Sequence, residues 1–373
     1  MKVGIDTFGC NHGQSGIGIY LASVCKHLHS DDSVEFELFG AESDKYTFGS
    51  ENNLKYTSVL LPEHISAESL WHIFGCHKFF RKQRYDLVLF PAVVDYVPFF
   101  SKVPYVVIVN DVLRDSLESK TFMERLRLRH FLKKASRIIV SSQYIRKSLK
   151  NLGVNQKKVT VIHCGVDHNM FYPLELKSED VVDIKPFSIQ RPYFIYPSRI
   201  SSASKKHCEL IRAFAAFKQK TGLPYRLLFT GGEGDYSDIV RAEVARSSCA
   251  SDIFITGYVP PESVPELYSA SDGCIFPSVN EGVGLPVLES MAAGVPVACT
   301  KSGALQEITG NNAFFFDCDN IEEFTRAIEV LSTESPMRQR LIKEGFEWSA
   351  KFKWEKTSSE IVDVLKSVYE KRK

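Results

Sequence analysis

The sequence lacks the signals of several common protein classes. Its apolar runs stay below the roughly 18 residues that a membrane-spanning helix needs. An aspartate interrupts the N-terminal MKVGIDTFG, so we expect neither a membrane span nor a signal peptide. Nine cysteines are scattered without a CxxC pair, and no N-x-S/T sequon occurs. These absences argue against a secreted disulfide scaffold and a structural zinc site, and they predict a cytoplasmic protein with reduced thiols.

A net charge of either sign is also nearly absent, because 46 Lys+Arg face 45 Asp+Glu. With no nucleic-acid-binding motif either, we expect no nucleic-acid partner. Residues 77–150 nevertheless hold 16 Lys+Arg against 6 Asp+Glu, mostly in HKFFRKQR and ERLRLRHFLKKASR. These segments are either solvated helix faces or a patch that binds an anionic membrane surface or a phosphorylated acceptor. On the second interpretation the apolar residues that reach the membrane are Phe79, Phe80, Leu126, Leu128 and Phe131.

The chain does contain a regular alternation of short apolar strands and amphipathic helices over its 373 residues. This length suits two domains, and the alternation is typical of parallel sheets covered by helices on both faces. The charged, proline-containing residues 173–191 predict a linker. We therefore expect an α/β protein with domains at 1–172 and 192–354 and a final helix at 355–373.

The most informative stretch is PSVNEGVGLPVLESMAAGVPV, from Pro277 to Val297, which predicts a strand end, a glycine-rich loop and a helix. Pro286 suits the first helical turn, and the glycines let a ligand approach the backbone. Backbone N–H groups at the start of a helix can bind an anion. The candidate donors are the amides of Gly282, Val283, Gly284 and Leu285.

Two carboxylates accompany these amides, Glu281 in the loop and Glu289 about one turn into the helix. Ionised carboxylates accept hydrogen bonds from hydroxyl groups. The segment therefore suits a nucleotide sugar, in which a diphosphate lies between two polyhydroxyl rings. An isolated E-x7-E pair would fit an ordinary strand–turn–helix unit, but the glycines and the proline in fixed register favour ligand binding.

Two cations follow the predicted strand Tyr193–Tyr196. Arg199 and Lys205 lie six residues apart in a loop that enters a helix. Cations held there could neutralise a departing diphosphate. Surface exposure without a ligand is the commoner fate of such residues.

The segment EGVGLPVLESMAAGVPV closely resembles the signature of retaining glycosyltransferases of family 4, which have the GT-B fold. Arg199 and Lys205 match the family's R-x5-K pattern. GQSGIGIY is similar to the family's first loop, LLFTGGEGDYS to its GxG loop, and DIFITGYVPPESVPELYSASD to its FxGxV…ELYxxAD segment. The resemblance covers nearly the whole chain, from Lys2 to Tyr369.

The resemblance implies two Rossmann-like domains that face each other across a cleft, with the last helix packed back on the N-terminal domain. The C-terminal domain would hold a nucleotide-sugar donor, and the N-terminal domain a saccharide or lipid-linked acceptor. Glu281 would bind the transferred sugar and Glu289 the ribose. Arg199, Lys205 and the amides of Gly284 and Leu285 would stabilise the leaving diphosphate.

The resemblance also assigns residues outside these two segments. The further donor contacts that it implies are Gly16, Gly18, Gly231 and Gly232, with the base beside Tyr258 and Val259. Asn110, in VPYVVIVNDVL, stands where the family's VVTIHDL has a histidine that touches the transferred sugar. Asparagine can form hydrogen bonds there but cannot act as an acid or base. Ile19 replaces a common arginine of the first loop.

The implied function is transfer of a hexose from GDP-mannose or a UDP-sugar in surface polysaccharide synthesis, with retention of configuration. No metal or other cofactor is implied, because cations stabilise the leaving group. A non-catalytic nucleotide-sugar-binding scaffold on the same fold is the alternative, and Asn110 and Ile19 favour it. A phosphorylase would need a cofactor lysine and a longer chain, and a nicotinamide dehydrogenase would need a GxGxxG motif. With a lipid-linked acceptor, the protein would work at the inner face of the cytoplasmic membrane.

Overall fold

The structure is a computed structural model that describes residues 1–49, 54–62, 64, 67–92, 96–113, 117, 120–174, 181–184, 187–260 and 263–372. The chain forms two compact units. The first contains Met1–Gly165 and the C-terminal residues from Trp354 onward, and the second contains Val166–Lys353.

The first unit is built on a sheet of seven parallel strands in the order β3-β2-β1-β4-β5-β6-β7. The strands are β1 (Lys2–Asp6), β2 (Glu35–Gly40), β3 (Lys55–Ser58), β4 (Leu87–Phe90), β5 (Tyr105–Val109), β6 (Arg137–Val140) and β7 (Val159–Val161). The strand order reverses between β1 and β4, where Ile5 lies between Leu38 and Leu89. Ligands of open α/β sheets bind at such a switch point, beyond the carboxyl ends of the strands.

Helices cover this sheet because their apolar faces need burial. They span Gly16–Cys25, Lys45–Phe48, Ala67–Leu70, Cys76–Lys82, Phe122–Lys134, Gln143–Asn151 and Trp354–Glu370. A π-helical turn, Trp71–Gly75, interrupts the helical segment between Leu70 and Cys76. The helix Trp354–Glu370 packs within the first unit, where Thr357 Oγ1 donates a hydrogen bond to His163 O at 2.8 Å.

The helix Phe122–Lys134 shows why Leu128 and Phe131 cannot reach a membrane as the sequence interpretation expected. Its first turn has a capping box between Thr121 and Glu124, which fixes the helix start. Leu128 and Phe131 then point into the core, and Phe131 stacks on Tyr105 with ring centroids 4.4 Å apart. Phe80 is fully buried as well. Of the residues predicted to reach a membrane, Leu126 is exposed and Phe79 packs against the core.

The second unit has a sheet of six parallel strands in the order β12-β11-β10-β13-β14-β15. They are β10 (Tyr193–Pro197), β11 (Arg226–Thr230), β12 (Ile253–Ile255), β13 (Gly273–Phe276), β14 (Val297–Cys299) and β15 (Phe314–Phe315). Its helices span His207–Thr221, Ser237–Arg246, Val264–Ser269, Leu285–Ala292, Leu305–Thr309, Ile321–Ser332 and Pro336–Ser349. The strand order reverses between β10 and β13. Two parallel sheets flanked by helices confirm the predicted α/β class.

The predicted linker contains regular structure. Strand β8 (Val181–Ile184) pairs antiparallel with β9 (Phe187–Gln190), whereas residues 175–180 and 185–186 lie outside the described residues. The second unit also begins before the predicted limit at 172. Val166 N donates a hydrogen bond to Phe352 O at 3.2 Å, and this contact ties the residues after Gly165 to the second unit.

The described helices include none that is both long enough and apolar enough to cross a lipid bilayer.

Candidate active site

Glu281 lies in the loop after β13, and glycine-dependent packing fixes that loop. Thr300 Oγ1 donates to Ser278 O at 2.8 Å, and Ala304 N donates to Glu281 O at 2.8 Å. Gly303 has φ +65, and a Cβ atom there would lie 2.4 Å from Glu281 O. Only glycine therefore allows the loop after β14 to approach the backbone of Glu281 this closely.

The carboxylate of Glu281 is paired with one of the predicted cations. Lys205 Nζ lies 2.6 Å from Glu281 Oε1, and the Ser278 hydroxyl donates to the same oxygen. The two side chains retain 26% and 14% of their exposure, so the pair is reachable from solvent. The loops also join through their backbones, because Val279 N donates to Ser204 O at 2.9 Å. The structure thus brings Glu281 and Lys205 together across 76 residues.

Arg199 is exposed and lies in the loop after β10. It forms no ion pair within the part of the chain that the structure describes. Its loop is held by Ile200 N, which donates to Gly232 O at 3.1 Å. Gly231 has φ +136, and a Cβ there would lie 2.7 Å from Ser198 O. The structure therefore gives Gly231 a packing role, supporting the backbone beside Arg199.

The helix Leu285–Ala292 begins directly after the Glu281 loop. Gly284, its N-cap residue, adopts a left-handed conformation with φ +79, which glycine accepts readily. The sequence-predicted donors Gly282, Val283, Gly284 and Leu285 form this short approach to the helix start. The partial positive charge of a helix N-terminus favours an anion at this place.

Glu289 is partly buried inside that helix and has one partner that the sequence interpretation missed. Tyr268 Oη donates to Glu289 Oε2 at 2.7 Å. Burial raises the pKa of the Glu289 carboxyl from 4.5 to about 7, against the opposing effect of the Tyr268 hydrogen bond. Within the described ranges no residue donates to Glu289 Oε1. One oxygen is held in place, and the other can accept from a ligand hydroxyl.

Tyr258 and Val259 differ in exposure. The Tyr258 side chain is 59% exposed, whereas that of Val259 is buried. Gly231 N donates to Gly257 O at 2.9 Å, so this segment adjoins the glycine loop after β11. Tyr258 can offer its ring to a ligand, but Val259 can offer only its backbone.

In the first unit, Gly16 and Gly18 have different surroundings. A Cβ on Gly18 would lie 2.2 Å from Cys10 O, so its glycine is explained by packing. A Cβ on Gly16 would meet no atom within 4 Å, and this position is open. Ser15 caps the helix by accepting from Gly18 N at 3.1 Å. Ile19 is half exposed beside them.

Asn110 follows β5 and is 9% exposed. Its Oδ1 has no hydrogen-bond partner among the described residues. It lines a cavity of about 100 Å³ together with Gly9, Ile17 and Tyr96. A buried carbonyl without a partner costs about 1–3 kcal/mol, and a ligand hydroxyl or amide in this cavity would remove that cost.

A buried pair that the sequence interpretation missed lies at the end of β1. His72 Nε2 lies 2.9 Å from Asp6 Oδ2, and both side chains are nearly inaccessible. His72 Nδ1 must donate, since its partner at 2.6 Å is the carbonyl of Glu68. Asp6 and His72 therefore share one further proton. Burial raises the pKa of Asp6, and His72 opposes that rise.

Asp317 and Asp319 have a D-x-D spacing and could hold a metal ion, although we expect the reaction to need none. Ligand atoms of these residues and of Cys318 lie within 4.8 Å of one another after β15. Asp319 is already paired with Lys206 Nζ at 2.8 Å. The ammonium group competes with a cation for this carboxylate, and independence from metals stays a prediction.

Two family models match the chain in succession. The model of glycosyltransferase family 4 matches residues 14–170, and that of glycosyl transferases group 1 matches residues 178–348. The chain therefore belongs to the GT-B glycosyltransferases of the family 4 type. This confirms the resemblance carried by the Glu281–Glu289 segment.

Curated relatives are similar over part of their length. O-antigen chain mannosyltransferase B of Escherichia coli is 29% identical over 42% of this chain and 41% of the relative. D-inositol 3-phosphate glycosyltransferase of Corynebacterium urealyticum is 24% identical over 57% of this chain and 52% of the relative. The chain thus matches about half the length of these relatives.

Solved structures match over nearly the full length. Sucrose-phosphate synthase of Thermosynechococcus elongatus has a TM-score of 0.76 at 17% identity, with 99% of both chains covered. HepE of Anabaena, in complex with UDP and glucose, has a TM-score of 0.76 at 18% identity, covering 98% of this chain and 99% of HepE. These likenesses confirm the GT-B fold.

Proposed function

We propose that the protein transfers a hexose from a nucleotide sugar to a saccharide or lipid-linked acceptor, with retention of configuration. The observation that carries the proposal is the Glu281–Lys205 pair at the strand-order reversal of the second sheet. There a carboxylate, a cation and a helix N-terminus lie on adjoining loops. The carboxylate can bind the sugar hydroxyls of a ligand, while the cation and the helix N-terminus bind the diphosphate of the same ligand.

The donor contacts follow from the chemistry of each group. Glu289 accepts hydrogen bonds from the ribose hydroxyls, with Tyr268 holding its other oxygen. The amides of Gly284 and Leu285, together with Arg199, bind the diphosphate. Binding of hydroxyl donors favours the ionised carboxylate, which burial otherwise disfavours in Glu289.

Chemistry then depends on charge that develops as the sugar–phosphate bond breaks. Lys205 and Arg199 stabilise the negative charge on the departing diphosphate. Glu281 binds the hydroxyls of the transferred sugar and stabilises positive charge at its ring. Removing one such preorganised electrostatic contact typically lowers kcat by roughly 10²–10³-fold. These residues supply the stabilisation without a metal or other cofactor.

The acceptor is proposed to bind in the first unit, near the cavity at Asn110. The free Oδ1 of Asn110 can accept from a hydroxyl, and Tyr96 adds an apolar wall. Gly16 leaves open space where a sugar ring can approach the backbone. Asn110 can orient a hydroxyl but cannot remove its proton.

A mannosyl donor and a role in surface polysaccharide synthesis are supported by the names of relatives. These relatives include O-antigen chain mannosyltransferase B of Escherichia coli. Another is O-antigen chain mannosyltransferase RfbU of Salmonella typhimurium, which is 24% identical over 58% of this chain. HepE was solved with UDP-glucose, which keeps UDP-sugars as the second donor class. We propose that the enzyme acts in the cytoplasm.

Thermal-shift measurements with GDP-mannose, UDP-glucose and ADP-glucose test the donor. A ligand at 100 times its Kd should stabilise the protein by about 2.7 kcal/mol. Stabilisation by GDP-mannose, and not by UDP-glucose or ADP-glucose, supports the mannosyl assignment, and its loss in Glu289→Ala supports the ribose contact. No stabilisation by any nucleotide sugar would contradict the proposal.

The competing function is a scaffold that binds a nucleotide sugar without turning it over. The asparagine at position 110 is the observation that favours it. Hydrolysis of the stabilising donor separates the two functions, because a scaffold would bind it and release no free sugar. The transferase proposal expects slow hydrolysis that Lys205→Ala lowers.

A further inference from the structure

Two adjacent cavities lie on the first unit, at the opposite edge of its sheet from Asn110. One has a volume of about 360 Å³ and is lined in part by Phe99, Phe100, Lys102, His130, Lys134 and Arg372. The other has a volume of about 340 Å³ and is lined in part by Arg137, Lys157, Lys158, Lys371 and Arg372. They share Ser136 and Arg372, so they form one continuous surface. We call these residues the amino-edge surface.

The charge of the amino-edge surface is of one sign. Its lining residues include seven lysines and arginines and no aspartate or glutamate. Those seven side chains take part in no ion pair among the described residues. Two of them are instead anchored to carbonyl groups, since Arg137 donates to Lys157 O at 2.7 Å and Lys158 to Ala135 O at 2.9 Å. Anchoring orders the cations but leaves their charge unneutralised.

Exposed aromatic side chains border the same surface. Phe99 is 62% exposed and Phe100 is 45% exposed. The Phe100 ring lies 5.1 Å from that of His77, which adds a polar side chain to the border. Two exposed phenylalanines beside unpaired cations match the two parts of an anionic lipid surface, its charged headgroups and its acyl chains.

The amino-edge surface is separated from Asn110 by the length of the sheet. Three of the lysines lie at the amino ends of strands. Lys102 and Lys134 come three residues before β5 and β6, and Lys158 comes directly before β7. Asn110 lies beyond the carboxyl end of β5. Five residues of β5 separate the two edges by about 16 Å, at roughly 3.3 Å per residue.

We propose that the amino-edge surface docks the protein on an anionic phospholipid bilayer. Phe99 and Phe100 enter the headgroup region, and the seven cations bind lipid phosphates. This inference is independent of the proposed reaction. It replaces the helix-based interpretation, whose Phe80, Leu128 and Phe131 belong to the core.

Co-sedimentation of the full chain with vesicles tests the proposal. Vesicles of phosphatidylglycerol and phosphatidylcholine in equal parts should bind the protein at low salt, and pure phosphatidylcholine vesicles should not. Each cation near an anionic leaflet strengthens binding by roughly fivefold. Lys134→Glu with Arg372→Glu should therefore weaken binding by at least about 25-fold.

A matched double variant controls for net charge. Lys45→Glu with Lys147→Glu changes two exposed lysines of the same unit that lie outside both cavities, and it should weaken binding far less. Phe99→Ser with Phe100→Ser should also weaken binding, whereas Tyr46→Ser, at an 80% exposed aromatic, should not. Circular dichroism establishes that each variant is folded.

Three results would overturn the proposal. One is no sedimentation with anionic vesicles at low salt. Another is an equal loss of binding in the two charge-reversal variants, which would indicate nonspecific attraction. The third is displacement from vesicles by inorganic phosphate at equal ionic strength, which would indicate a site for soluble phosphates.

Discussion

The carboxyl edges of the two sheets contrast in how they hold their charged groups. In the second unit, Glu281 and Lys205 pair at a solvent-reachable position, and the loops around them are fixed by backbone contacts. In the first unit, Asp6 and His72 pair out of contact with solvent. The difference indicates that the buried Asp6–His72 pair stabilises the fold, whereas the Glu281–Lys205 pair is available to exchange a partner for a ligand.

The largest expected effect on stability comes from a substitution that breaks the buried Asp6–His72 pair. His72→Leu should lower the free energy of unfolding by about 3–5 kcal/mol, because it leaves Asp6 buried without its partner. His77→Leu, on the helix that follows, should cost much less, since His77 is only partly buried. Urea denaturation measures both. Equal, small losses would show that Asp6 and His72 do not stabilise the first unit.

The exposed pair should show the opposite behaviour. Glu281→Gln should lower turnover of the donor by roughly 10²–10³-fold and change the midpoint of urea unfolding little. Glu209→Gln is the control, because Glu209 is also paired with a lysine, Lys206, at 3.1 Å in the same unit. Comparable turnover in the two variants would remove Glu281 from the reaction.

The loop behind Glu281 offers a steric test. Gly303→Ala should destabilise the protein by about 1–3 kcal/mol more than Gly222→Ala, because it adds a clash to the cost of a positive φ. The φ angles are +65 and +66, but a Cβ on Gly222 would meet nothing within 4 Å. The two variants thus isolate the contact with Glu281 O. Equal destabilisation by the two variants would mean that the loop after β14 moves away from Glu281 at little cost.

The last expected effect is a dependence on pH. Because the pKa of Glu289 is raised to about 7, the folded state holds a proton that the unfolded state loses above pH 4.5. This group should therefore lower stability as pH rises from about 4.5 to 7, with no further change above that range. Nucleoside diphosphate affinity should rise over pH 6–8, since hydroxyls bind the ionised form. Both dependences should vanish in Glu289→Gln, as measured by calorimetry.

Local patterns were enough to predict the α/β class and the strand–loop–helix at Glu281. Glycines, a proline and apolar runs act within a few residues of one another, so their consequences can be read along the chain. The Lys205 loop was recognised by its resemblance to the family's R-x5-K pattern. Its pairing with Glu281 depends on β10 and β13 being neighbours, which strand order alone determines.

What could not be predicted depends on distant contacts. Asp6 and His72 are separated by 66 residues, and neither carries a local signal beyond an acid at a strand end. Tyr268 lies in a segment that the family resemblance had picked out, but its hydrogen bond to Glu289, on another helix, has no local signal. Leu128 and Phe131 of helix Phe122–Lys134 were misassigned because periodicity reveals an apolar face without revealing what covers it.

The account rests on a donor site in which Lys205 acts on the departing diphosphate. Turnover and donor affinity of Lys205→Ala, measured in EDTA against the unmodified protein, test this most directly. Because the charge on the diphosphate grows as its bond to the sugar breaks, turnover should fall far more than affinity. Equal losses of turnover and affinity would reduce Lys205 to a uniform binding contact and contradict this role.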